Sequence, residues 1–285
     1  MIIEKILKAV WNEFVYGGHF HSIGVTTITY VNSLVLGIKV GWDFLIIVYL
    51  GIHSAYLYNR FKEFEIDFET NPERTEYIRK YVKKIPLIIL ASFLIIVFIP
   101  LYNKNYPGLI FATFIFIIGL LYSELFKGLT KKILGLKNFF IPLLFSSLII
   151  FSVVYYSSSW NLAVFLISAF TFLRVFNNTV FFDIKDIESD RKENLLTFPV
   201  VLGKNKAFLF LYFINILSII PIIAGAYLKI LPLFSLALIL TIPYSFYYVE
   251  KSKKPGANFR FLSYIAADGE YIIWLFFIFL GRIFL

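Results

Sequence analysis

Cysteine is absent from this chain, and its one methionine is Met1. Without a thiol there is no cysteine nucleophile, no cysteine-ligated zinc and no disulfide framework. Charge is scarce too. Asp, Glu, Lys and Arg make up 16% of the residues, against roughly 25% in a soluble domain. Missing as well are a Ser-His-Asp set, a dinucleotide fingerprint and a phosphate loop; GLTKKILGLK at 128–137 lacks the Gly-x-x-x-x-Gly-Lys-Ser/Thr spacing. What fills the 285 residues is apolar: 59% are hydrophobic and 20% aromatic, at a mean hydropathy of +0.79. These proportions exclude a water-soluble enzyme and a disordered tail. The net charge of +9 would suggest nucleic acid in a soluble chain. On this background it points to a membrane surface, and no nucleic-acid partner is expected.

A bilayer-crossing helix needs about 20 mostly apolar residues. Nine such runs are predicted, at 20–38, 42–58, 85–102, 107–123, 139–158, 160–182, 206–228, 231–249 and 261–281. The fold class expected is therefore all-α, one polytopic membrane domain over 1–285 with nine transmembrane helices around a central cavity. Residues 1–18 have no long apolar core and read as an amphipathic interfacial segment rather than a signal peptide. Four connections are long: 59–84, 124–138, 183–205 and 250–260. Twenty of the 27 Lys and Arg lie in them or just past their ends, and the other side has only Lys39, Lys104, Lys229 and Arg282. By the positive-inside rule the long connections and the N-terminus are cytoplasmic, and nine spans put the C-terminus outside. The expected location is a cell membrane, with a prokaryotic source compatible with the short connections.

Two long connections carry the chemistry. YNRFKEFEIDFETNPERTEY follows span two, and FNNTVFFDIKDIESDRKENLLTFPVVLG follows span six. Both spans run in the same direction, so both stretches emerge on one side. Asn59, Glu63 and Asp67 are spaced i, i+4, i+8 and share a helical face; Asp183, Asp186 and Asp190, at i, i+3, i+7, share another. If the faces meet, five carboxylates and an amide oxygen converge near hydrocarbon, where they repel one another unless cations intervene. Hard divalent ions fit oxygen donors, and Mg²⁺ commonly uses one or two carboxylates plus phosphate oxygens and water. The pattern thus suggests a metal-bridged diphosphate. Each stretch alone also reads as a solvated loop screened by Lys62, Lys185 or Arg191; two at equivalent helix ends favour a site.

These residues resemble the UbiA-type membrane prenyltransferases. That family's first signature, Asn-Asp-x-x-Asp-x-x-x-Asp, is similar to NRFKEFEID, which matches at Asn59 and Asp67, keeps Glu65-Ile66-Asp67, and continues as Asn71-Pro72-Glu73-Arg74. Arg60 and Glu63 stand where aspartates are usual. The second signature, Asp-x-x-Asp-x-x-x-Asp, is met in full by Asp183, Asp186 and Asp190, followed by Thr197, Pro199, Leu202 and Gly203. Tyr122-Ser123 before Lys127 and GLKN at 135–138 resembles a third family stretch. The resemblance implies transfer of a polyprenyl group from polyprenyl diphosphate to a hydrophobic acceptor, with Mg²⁺ as cofactor. It also implies roles: Asn59 and Glu63 for one ion, Asp183 and Asp186 for the other, Asp67 and Asp190 as ligands or holders of metal-bound water. Arg74, Lys127 and Lys137 would bind phosphate oxygens, and Tyr122 would face the developing carbocation. Two other readings stay open: a transporter or flippase of an anionic amphiphile, and a weakly active prenyl-diphosphate binder. Arg174, Asp268 and Glu270 are charges inside spans and should face the bundle interior. His19, His21 and His53 read as structural.

Overall fold

Away from water, each apolar run of about 20 residues can satisfy its backbone only by closing into a helix. The computed structural model describes residues 2–122 and 127–285, with the side chains of Ile2, Ile3, Ile66, Glu69, Thr70 and Lys127 outside the description. Among the described residues there are helices and turns and no strand. In chain order they are α1 (Ile2–Tyr16), α2 (His19–Val35), α3 (Trp42–Lys62), α4 (Phe64–Thr70), α5 (Pro72–Arg79), α6 (Ile85–Tyr102), α7 (Tyr106–Leu121) and the single turn α8 (Lys127–Leu129). Then come α9 (Leu136–Tyr155), α10 (Leu162–Lys185), α11 (Ile187–Lys192), α12 (Phe198–Leu202), α13 (Lys204–Leu217) and α14 (Ile219–Tyr227). A 3-10 stretch at Leu233–Leu240 runs into α15 (Thr241–Ser252); the short α16 (Phe259–Phe261) and a π-helical stretch at Leu262–Ala267 run into α17 (Asp268–Phe284).

Among the described residues, each predicted apolar segment falls largely on this helical structure. Six stretches among the described residues are long and apolar enough to cross a membrane: Val82–Tyr102, Leu136–Tyr155, Leu162–Lys185, Lys204–Tyr227, Leu233–Ser252 and Phe259–Phe284. The expected count of nine is not reached on that measure, and the three shortfalls have separate reasons. α7 has 16 residues, about 24 Å at 1.5 Å each. α2 has 17 residues and turns Ser22, Thr29, Asn32 and Ser33 into the core. α3 has 21 but opens near Asp43 and ends on Arg60 and Lys62.

α10 runs through the middle of the bundle, packed on α9, α13 and α14, while α2 lies between α3 and α17. Val25, Phe44, Phe151, Phe170 and Trp274 fill the core between these helices. The outer faces are equally apolar: Leu87, Phe98, Ile110, Phe114, Phe165 and Leu209 stand mostly exposed, a surface suited to hydrocarbon rather than water. At one end of the bundle Trp42, Tyr102, Tyr106, Trp160 and Tyr227 project outward, in the manner of an interfacial aromatic belt. That end is tied shut: Asp43 Oδ2 accepts from Tyr155 Oη at 2.7 Å and from Asn103 Nδ2 at 3.1 Å. The short helices α4, α5, α11 and α12 gather at the other end. There α1 exposes Ile6, Leu7, Val10 and Trp11 and is fastened to α5, with Tyr77 Oη donating to Glu13 at 2.6 Å and Tyr16 Oη to Glu73 at 3.1 Å.

Candidate functional site

Both acidic stretches leave their long helices through the same backbone device. α3 stops at Lys62, Glu63 takes φ −99° and ψ 16°, and α4 begins at Phe64. α10 stops at Lys185, Asp186 takes φ −100° and ψ 11°, and α11 begins at Ile187. Each middle acid of its motif thus sits in the sparsely populated bridge region, where many site residues are found. The straight helical continuation expected from the spacing is therefore bent at the middle acid. The hydrogen bonding carries across the bend: Glu63 N donates to Asn59 O at 2.9 Å, Asp67 N to Glu63 O at 2.8 Å, Asp186 N to Asp183 O at 3.1 Å and Asp190 N to Asp186 O at 2.8 Å. Each motif consequently keeps its acids facing one space.

The two faces meet. A cavity of about 280 Å³ is lined by Asn59, Glu63 and Asp67 from one side and by Asp183, Asp186 and Asp190 from the other. Beyond the charged groups its wall is apolar, with Ile141, Leu144, Phe145 and Val175. Lys185 Nζ joins the two stretches directly, donating to Asp186 Oδ1 at 2.8 Å and to Asn71 Oδ1 at 3.3 Å.

Bases interleave with the acids. Asp67 accepts from Arg60 at 2.5 Å on Oδ2 and from Arg74 at 3.0 Å on Oδ1. Asp183 accepts from Lys137 Nζ at 2.7 Å on Oδ1 and from Asn138 Nδ2 at 2.7 Å on Oδ2. Lys137 lies 3.9 Å from Asp190, whose other contact is Thr197 Oγ1, donating at 3.1 Å. Burial pushes the Asp190 carboxyl up to about 7, against the opposing pull of Lys137. Withdrawing one member of such a buried pair costs about 3–5 kcal/mol, so these contacts hold the rim in shape. Lys137 and Asn138 reach Asp183 because α9 starts where it does. Gly135, at φ 64°, accepts a turn that a side chain would block: a Cβ there would lie 2.3 Å from the Phe198 ring. Its N–H donates to Leu196 O at 2.7 Å, and Leu196 N donates to Thr130 O at 3.0 Å, binding the loop before α9 to the loop after α11.

Of the residues singled out by sequence, Asn59, Glu63, Asp67, Arg74, Tyr122, Lys137, Asp183, Asp186 and Asp190 all line this cavity. Tyr122 caps α7 and stacks on Phe140 at 5.4 Å between ring centroids. Ser123 and the Lys127 side chain lie outside the described residues. Among the described residues, no three His, Asp or Glu side chains are already gathered about one metal-sized point. Magnesium does not need such a cage, since it takes one or two carboxylates and completes its shell with phosphate and water. An all-oxygen donor set facing buried cations suits that ion.

Several cavity residues had no distinguishing sequence signal. Tyr264, in the π-helical stretch, donates to Asn71 and lies under Arg74, 5.3 Å from guanidinium carbon to ring centroid, and under Lys185 at 5.5 Å. His21 Nδ1 pairs with Asp268 Oδ1 at 3.0 Å on the cavity wall. His53 contacts Gly17 O at 3.1 Å and His19 the Tyr49 hydroxyl at 2.5 Å. Arg174 is not in the cavity at all. It is fully buried against Glu270, with Nε and Nη2 at 3.0 and 2.5 Å from Oε1, and Tyr248 Oη donates to Oε2 at 3.0 Å.

Comparison with known proteins agrees with this geometry. The sequence model of the UbiA prenyltransferase family matches residues 37–267. No curated protein matches the chain. A UbiA homologue of Aeropyrum pernix K1 in its apo form superposes with a TM-score of 0.69 at 18% identity, over 92% of this chain and 97% of that one. A digeranylgeranylglyceryl phosphate synthase does so at 0.59 and 20%, over 97% and 98%. A UbiA homologue of Archaeoglobus fulgidus, bound to GPP and Mg²⁺, does so at 0.62 and 15%, over 97% and 96%. With the family match spanning most of its length and a helical bundle that shares the fold of these homologues, the chain belongs to the UbiA prenyltransferase family.

Proposed function

We propose that this protein is a Mg²⁺-dependent prenyltransferase that moves a polyprenyl group from polyprenyl diphosphate to a hydrophobic acceptor within the bilayer. The observation that carries the reading is the shared cavity: two acidic stretches more than a hundred residues apart line one space and are linked through Lys185 and Asn71. The GPP- and Mg²⁺-bound state of the Archaeoglobus homologue supports it.

In this reading Asn59, Glu63, Asp183 and Asp186 are the donors for magnesium, and Asp67 and Asp190 orient the groups around them. Bound there, magnesium supplies charge neutralisation for the departing diphosphate. Arg74 and Lys137, and by the resemblance Lys127, hold phosphate oxygens through charge-assisted hydrogen bonds. Their positive charge is fixed before the C–O bond breaks, so little reorganisation is needed when negative charge develops. The Tyr122 ring, backed by Phe140, presents a π face to the allylic cation. The isoprenoid tail lies along the apolar wall of Ile141, Leu144 and Phe145. The acceptor's nucleophilic atom takes the prenyl carbon and gives up its proton. We further infer nine crossings, α2, α3 and α7 completing the set of six, with α1 at the interface and the charged end of the bundle, like the N-terminus, cytoplasmic.

Purified protein, Mg²⁺, radiolabelled prenyl diphosphate and a panel of aromatic and lipid acceptors test this. Metal-dependent diphosphate release with a covalent prenylated product is expected, lost in Asp186→Ala. Uptake of the diphosphate into vesicles with no covalent product would instead make the protein a transporter.

A further inference from the structure

The two acidic motifs balance their charge differently. Around the first, Glu63 and Asp67 face Arg60 and Arg74, so the four charges cancel. Around the second, Asp183, Asp186 and Glu193 line the cavity with Lys137 and Lys185, leaving one negative charge in excess even without counting Asp190. A divalent cation is drawn to the second and not to the first.

Geometry sharpens the contrast. Both oxygens of Asp67 are taken, one by each arginine, and its side chain is 9% exposed. Arginine forks are planar and keep their charge under any condition, so this arrangement does not yield to a metal. The lysines of the second motif each have somewhere else to go. Lys185 also reaches Asn71 and the Tyr264 ring, and Lys137 also reaches Asp190. Asp183 and Asp186 can therefore turn to a metal without stranding a buried ammonium. The Arg74 side chain, only 6% exposed, lines the cavity with its Nε lacking a hydrogen-bond partner, a donor left over for an anionic ligand. Arg60 stands where the resemblance places an aspartate, and that exchange raises the local charge by two, the charge of one magnesium ion.

We propose that the Arg60–Asp67–Arg74 cluster replaces a metal ion at the first motif, so that the cavity holds one divalent cation, at Asp183 and Asp186, and meets the diphosphate directly with arginine. Asn59 and Glu63 then border the bound diphosphate rather than a second ion, which narrows the magnesium donors proposed above to Asp183 and Asp186. The inference rests on the diphosphate reading above.

The test is Mn²⁺ stoichiometry, by electron paramagnetic resonance, on the full chain in detergent with an inert prenyl thiolodiphosphate. One Mn²⁺ per chain is expected for the unaltered protein and two for Arg60→Asp, checked as folded by its melting temperature. Two ions in the unaltered protein, or one in folded Arg60→Asp, would overturn the proposal. Should Arg60→Asp not fold, Arg60→Gln serves: analogue affinity falls tenfold or more with one Mn²⁺ retained, and unchanged affinity overturns the proposal. Failure of the unaltered protein to bind either Mn²⁺ or analogue would overturn the diphosphate reading itself, an outcome separate from two ions.

Discussion

Arg174 and Lys137 each carry a positive charge into a bundle built for hydrocarbon, and they use it in opposite ways. Arg174 and Glu270 are wholly buried, shut in by Tyr248, Asn215 and Thr241. Lys137 and Asp183 are paired just as closely but open onto a cavity. A charge pair sealed on every side can only hold helices together; here it ties α10 to α17. One that faces free space can exchange its partner for a ligand. The difference lies in what surrounds the pair rather than in the pair, and it separates structural from functional charge in a protein where both are rare.

Removing a carboxylate on the open side should have the largest effect on activity. Asp183→Ala is expected to lower turnover roughly a thousandfold, about 4 kcal/mol of barrier, with a smaller loss of stability than complete stranding would bring, because Lys137 still lies 3.9 Å from Asp190. On the sealed side the effects should invert. Glu270→Ala strands Arg174 and is expected to cost about 3–5 kcal/mol of stability, read by thermal unfolding in detergent. The fraction that stays folded should keep its metal-dependent activity. If Glu270→Ala instead abolished turnover with no loss of stability, the distinction would fail. Lys137→Ala should raise the KM for prenyl diphosphate about 10- to 100-fold, one charge-assisted hydrogen bond of about 1.5–3 kcal/mol, as steady-state kinetics would show. Tyr122→Leu should lower kcat about five- to thirtyfold, a cation–π loss of about 1–2 kcal/mol, with Tyr122→Phe close to the parent. The exposed Lys131, changed to Ala, should leave KM within about twofold, since surface ion pairs and isolated surface charges contribute little.

How far the sequence reached follows from which interactions are local. The apolar runs located the long helices, because length and hydropathy act within one run, but not the short helices of the connections. The Asp183, Asp186, Asp190 spacing set three acids toward one cavity through bonds no longer than one helical turn. The spacing did not reveal the bend at Glu63 and Asp186, since the same residues are compatible with a straight helix. Contacts across the fold were less legible. Tyr264 and Asn71 meet across 193 positions, and neither residue type announces such a partner. Arg174 and Glu270 were visible as charges in need of company, but nothing in their positions chose between Glu270 and Asp268. Those two acids lie two residues apart on α17, about 200° around the helix at 100° per residue, so one enters the sealed core and the other lines the cavity beside His21.

The most direct test of the account is an experimental structure of the protein with Mn²⁺ and an inert prenyl diphosphate analogue, with the metal located by its anomalous scattering. The account predicts manganese within about 2.0–2.3 Å of Asp183 or Asp186 carboxylate oxygens, as for a hard cation on oxygen donors, and the diphosphate within hydrogen-bonding reach of Arg74 and Lys137. Manganese bound away from Asp183 and Asp186, or an analogue lodged outside this cavity, would contradict it.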